Sequence, residues 1–78
     1  MMDVEIEYCV PCGHLDRAVR TQRHLLEAHG RQLDTVTLRT GSGGVFVVRV
    51  DGQPVWDART DGYDLDAIDG LVTDRLGT

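Results

Sequence analysis

Val4-Glu5-Ile6-Glu7-Tyr8-Cys9-Val10-Pro11-Cys12 is the stretch that decides how this chain folds. Its first five residues alternate apolar and acidic, the period-two pattern of a strand with one buried face. That strand delivers Cys9 and Cys12, the only two cysteines in the sequence, to the start of a helical pattern. From about Pro11 to His29 the apolar residues Leu15, Ala18, Val19, Leu25 and Leu26 recur at helical spacing, and Gly30 supplies a stop. Pro11 fits a first helical turn, where its missing N–H costs nothing. Two thiols so spaced at a helix start can close an intramolecular disulfide, and the helix dipole and free N–H groups favour a thiolate there. A CxxC also serves as half of a zinc site or as inert core thiols. The strand-CxxC-helix setting, with no other cysteine, favours redox chemistry.

Working outward, Thr35-Val36-Thr37-Leu38-Arg39 is a second alternating run, followed by the turn Thr40-Gly41-Ser42-Gly43-Gly44. Val45-Phe46-Val47-Val48-Arg49-Val50 is almost continuously apolar, as a central strand buried on both faces is. Asp51-Gly52 is a favoured hairpin turn, and Gln53 to Arg59, centred on Val55 and Trp56, returns antiparallel. After Thr60-Asp61-Gly62 a second helix is expected from about Asp64 to Leu76, with Leu65, Ile68, Leu71 or Val72, and Leu76 inward and Asp64 and Asp66 in its first turn. The order β-α-β-β-β-α predicts an α/β fold with a parallel first pair, an antiparallel hairpin beside it and two helices. This four-stranded mixed sheet is the minimal thioredoxin-like arrangement, and residues 1–78 are expected to form a single such domain.

At 78 residues with 41% hydrophobic content, the chain has enough Val, Leu and Ile for one sheet with helices against it. Thirteen Asp and Glu stand against eight Arg and no Lys, a formal net charge of -5. That balance argues against nucleic acid and against an acidic membrane surface as partners. It fits either adaptation to high salt or a coding bias towards Arg. Met1-Met2-Asp3 leads directly into strand-like sequence and no run approaches a membrane-spanning length, so a cytoplasmic protein is expected. In a reducing cytosol a CxxC is catalytic, redox-sensing or metal-binding rather than a permanent staple.

Cys9-x2-Cys12-x11-His24-x4-His29 nearly satisfies a zinc-finger spacing. On one continuous helix, however, Cys12 and His24 would stand about 18 Å apart at ~1.5 Å per residue, beyond one coordination sphere. No metal is therefore assigned, and the histidines are read as solvated. For a dithiol, the usual exchange arrangement makes the first cysteine the exposed attacker and the second the resolver, with Pro11 stiffening the turn. His14 is placed to hold a thiolate when protonated, and Asp16 to oppose it. Arg17, Arg20 and Arg23 offer a landing strip for an anionic thiol such as glutathione or for an acidic partner; the plain alternative is a solvated face offset by Asp16 and Glu27. Gly41-Ser42-Gly43-Gly44 lacks the lysine and following helix of a phosphate loop, and Gly41, Gly43 and Gly44 better suit close backbone approach to the CxxC or a substrate. Phe46 and Trp56 read mainly as core.

The chain resembles the selenoprotein W-related, or Rdx, family of the thioredoxin-like fold. The resemblance rests on Val4 to Cys12, on Gly41-Ser42-Gly43-Gly44-Val45-Phe46, on Val50-Asp51-Gly52 with Val55-Trp56, and on Asp61-Gly62-Tyr63 before the last helix. It implies a thiol oxidoreductase, glutathione-linked, or a redox-responsive partner of other proteins, and names no substrate. It places Cys12 at the family's selenocysteine position and so implies that Cys12 is the key nucleophile, contrary to the first-cysteine expectation. Cys9 and Cys12 are the candidate catalytic pair, with Pro11, His14, Gly43, Gly44 and Phe46 as supporting residues. Only Pro11 and Pro54 occur, and neither precedes the Val45 strand, so the cis-proline that ordinary thioredoxins set opposite their disulfide is not expected.

Overall fold

The structure, a computed structural model, describes residues 2–77. Strand β1 (Met2–Cys9) leads through a turn into helix α1 (Leu15–His29), and a 3₁₀ turn at Gly30–Gln32 passes the chain to β2 (Leu33–Gly41). Strands β3 (Phe46–Val50) and β4 (Gln53–Asp57) form the hairpin; a single turn, α2 (Ala58–Asp61), and the helix α3 (Leu65–Leu76) complete the chain. The sheet runs β2-β1-β3-β4, with β1 parallel to β2 and antiparallel to β3. This is the expected mixed four-stranded sheet, with α2 as an addition.

Local chemistry explains the boundaries. Asp51 and Gly52 both take positive φ (51° and 84°), as the tight hairpin requires. The Asp64 carboxylate accepts from the Ala67 N–H at 3.1 Å and starts α3 where the sequence places it. β4 stops at Asp57 rather than Arg59, because the Asp57 carboxylate accepts from the Arg59 N–H at 2.9 Å and winds the chain into α2. β2 is longer than the alternating run at its centre, pairing with β1 from Leu33 to Gly41.

Both long helices pack on one face of the sheet. Val4, Ile6 and Tyr8 of β1 and Phe46, Val48 and Val50 of β3 meet Ala18 and Leu25 of α1 and Ile68 and Val72 of α3. Burying each of the larger side chains contributes about 1.5–3 kcal/mol before the cost of ordering the chain. On α1 the inward positions are Ala18, Thr21 and Leu25; Leu15, Val19 and Leu26, which share the apolar helical spacing, are half-exposed. The opposite sheet face carries the alternate residues, among them Glu5, Glu7 and Arg49. There Arg49 Nη1 donates to Glu5 at 3.0 Å and to Glu7 at 2.9 Å, and Arg39 approaches Glu5 at 3.8 Å. The Glu7 bond, with that to Glu5, raises the Arg49 pKa further against partial burial.

Candidate functional site around Cys9 and Cys12

β1 carries Cys9 to the end of the sheet and fixes it on both sides. The Cys9 N–H donates to the Val45 carbonyl at 2.8 Å, and the next amide, Val10, donates to the Gly41 carbonyl at 3.1 Å. The chain then turns on itself: the Gly13 N–H donates to the Val10 carbonyl at 3.2 Å, and Cys12 is disulfide-bonded to Cys9 with their Cα atoms 5.3 Å apart.

The CxxC occupies this turn and not the helix. Gly13 has φ 76°, a left-handed conformation that cannot continue a right-handed helix, so α1 begins only at Leu15. Pro11 is therefore outside the first helical turn, and Cys12 and Asp16 do not share a helical face. The helix dipole still acts on the turn, but less directly. His14 stands at the N-cap without a side-chain cap, and the helix's amino end opens onto the turn.

The two sulfurs differ in access. Cys9 is fully buried against Val45 and Val47, a small apolar cluster separate from the main core, whereas Cys12 is exposed. This reverses the usual exposed-first order. Gly41, opposite Cys9 in the β1–β2 register, makes the packing possible: a Cβ there would lie 2.7 Å from Val45 Cγ1 and 2.9 Å from Glu7 Oε2. Of the three glycines expected to serve close approach, Gly41 does so. Gly43 and Gly44, expected to serve it, have open space or ordinary contact where a methyl group would stand, and instead supply positive φ (71° and 81°) to the β2–β3 turn.

Beneath the turn a stack of rings ties the site to the core. The His14 ring meets Phe46 edge-on at 6.2 Å, and Phe46 meets Tyr63 edge-on at 5.5 Å. Arg17 lies over the Tyr63 ring at 5.5 Å. Thr21 Oγ1 donates to the Arg17 carbonyl at 2.8 Å, which leaves the Tyr63 hydroxyl to donate to Thr21 at 3.0 Å. Phe46 is core, at 1% exposure, and supports His14 from below; His14 Nδ1 is buried without a hydrogen-bond partner. Sequence reasoning missed Thr21 and Tyr63 as supports. The Ala18, Thr21, Leu25 spacing was the available signal for Thr21.

Other candidates lie elsewhere. His24 and His29 are not free in solvent: Asp69 of α3 accepts from His29 Nε2 at 2.6 Å and faces His24 Nε2 at 3.6 Å, far along α1 from the cysteines. Burial raises the Asp69 pKa, but the His29 contact and then the His24 contact outweigh it and hold the carboxyl below its usual value. Arg23 pairs with Glu27 at 3.5 Å and Arg17 with Tyr63, so two of the three stripe arginines are engaged within the chain. There is no cis peptide bond among the described residues.

The Rdx family model matches residues 3–74, all but the ends of the chain. The chain belongs to the Rdx family. A Bordetella parapertussis protein of known crystal structure is 34% identical, with a TM-score of 0.89 over 95% of this chain and 96% of that one. A selenoprotein W-related protein from Vibrio cholerae, 23% identical, shares the fold with a TM-score of 0.90 over 96% of each chain. Nothing matches among curated proteins. Rdx membership and the paired Cys9 and Cys12 together point to a thiol redox role.

Proposed function

We propose that this Rdx protein is a thiol-disulfide exchange protein in which Cys12 meets the partner and Cys9 resolves. The observation that carries the reading is the unequal access of the two sulfurs. In the reducing direction the Cys12 thiolate attacks a substrate disulfide, forms a mixed disulfide and expels the first substrate thiolate, which takes up a proton. The Cys9 thiolate then attacks Cys12 Sγ and expels the second substrate thiolate, leaving the Cys9–Cys12 disulfide. Running backwards, an incoming thiolate attacks the exposed Cys12 sulfur and Cys9 leaves. The amino end of α1 favours the thiolate at Cys12, and His14 assists when protonated. Pro11 stiffens the turn, while Phe46, Gly43 and Gly44 hold its surroundings.

The exchanging thiol is a protein or a low-molecular-weight thiol such as glutathione, no resident cofactor or metal is needed, and the cytoplasm is the setting. Among the described residues no helix is long and apolar enough to cross a membrane. The test is mixed-disulfide trapping with a chromogenic aromatic disulfide. Cys9→Ser should accumulate a stable Cys12 adduct, and Cys12→Ser should form one far more slowly. Equal behaviour of the two variants would refute the assignment, and full exchange by both would refute the function.

A further inference from the structure

The two edges of the sheet are built differently. β4 is five residues long, contains Pro54, and faces a register irregularity between Val48 and Arg49; these are the devices by which an edge strand avoids pairing with another chain. β2, the other edge, is nine residues long and has no proline; after an irregularity at Asp34, near its start, it keeps regular register with β1 from Asp3↔Thr35 to Cys9↔Gly41. The Gly41 carbonyl is directed to the β1 side, where it accepts from Val10. Backbone groups alternate along a strand, so those of Val36, Leu38 and Thr40 point outward from the sheet. Gln22 of α1 covers one of them, donating to the Val36 carbonyl at 2.8 Å. Leu38 and Thr40 keep their outward N–H and C=O groups.

The same flank carries the unexpected apolar exposure. Thr21 and Arg17 turn towards Tyr63 on the α3 side of α1, and Gln22 turns towards β2. At 100° per residue Leu15, Val19 and Leu26 lie beyond Gln22, overhanging the β2 edge. Their exposures are 50%, 43% and 44%, and Val10, bonded to the end of β2, is 50% exposed.

We propose that this flank is a two-fold interface between copies of this chain, β2 pairing antiparallel with β2 of the second copy and the α1 stripes closing over the junction. Three features select a second copy as the occupant. An identical antiparallel strand matches each outward N–H with an outward C=O, as an isologous contact requires. Asp34 near the start of β2 is brought towards the Arg39 end of the other copy, whereas parallel pairing would set like charges together. Finally, α1 and β2 together hold four Arg and three carboxylates in a chain of net charge -5, so copies meet where neither is acidic. None of these three features rests on the proposed thiol chemistry.

Sedimentation equilibrium of the reduced protein, with excess reductant to exclude intermolecular disulfides, tests it. A dimer should form between about 1 μM and 1 mM. Val19→Glu with Leu26→Glu, at positions already exposed, should raise the dissociation constant about a hundredfold or more while leaving the circular dichroism unchanged. Amide exchange gives the second measurement: the Leu38 and Thr40 N–H groups should be protected in the dimer and exchange freely in the double variant. A parent that stays monomeric at about 1 mM, a double variant that still dimerises, or a dimer with freely exchanging Leu38 and Thr40 amides would each overturn it.

Discussion

Neighbouring residues of β1 live in two environments. Val4, Ile6 and Tyr8 enter a core sealed by α1 and α3, while Glu5 and Glu7 face a side that neither long helix covers and are held by Arg49. Cys9 belongs by alternation to the second series, yet it is as buried as the first. The covered face is thus made by mass and the open face by exception: one glycine, Gly41, and two valines, Val45 and Val47, create a dry place for a single sulfur.

The covered face is where a single change should do most damage. Phe46→Ala should cost about 3–5 kcal/mol in urea unfolding, because it empties a core site and removes the ring under His14. Gly41→Ala acts on the exception: the added methyl meets Val45 and Glu7, and a loss of about 1–3 kcal/mol is expected. In the reduced variant Cys9 should also alkylate faster than in the parent, and an unchanged rate would show that Gly41 does not guard the sulfur.

Smaller effects sharpen the contrast. Asp69→Asn, at the seam between α1 and α3, should cost about 1 kcal/mol at neutral pH. The Asp69 pKa is depressed in the folded chain, so its contribution is complete above the unfolded carboxyl value of about 3.9 and fades as pH falls through the folded one. Parent and variant stabilities should therefore converge in acid, as denaturation at stepped pH would reveal. Arg49→Met on the open face should change stability by about 1 kcal/mol or less, with a salt dependence the covered-face variants lack.

Much of this was legible in the sequence. Alternation in Val4 to Tyr8, the apolar run Val45 to Val50 and the Asp51-Gly52 turn gave the strands, their order along the chain and the delivery of Cys9 to a strand end, because each pattern has a direct physical cause. The start of α1 was not legible: Leu15 and Val19 continue a helical rhythm back towards Cys12, and only the conformation of Gly13 shows that the rhythm begins later. Apolar spacing likewise did not distinguish the inward row Ala18, Thr21, Leu25 from the exposed row Leu15, Val19, Leu26, since the buried threonine makes the true core row look polar. The burial of Cys9 depends on the packing at Gly41, thirty-two positions after it in the chain and opposite it in the sheet.

Cys9 sits at the end of a strand paired on both sides, whereas Cys12 sits on a four-residue turn closed by the Gly13 to Val10 hydrogen bond and the disulfide. Breaking the disulfide thus removes a tether from the turn without loosening the sheet. The bond between the two sulfurs ties down a short exposed segment, Val10 to Gly13, on which the paired strands do not depend.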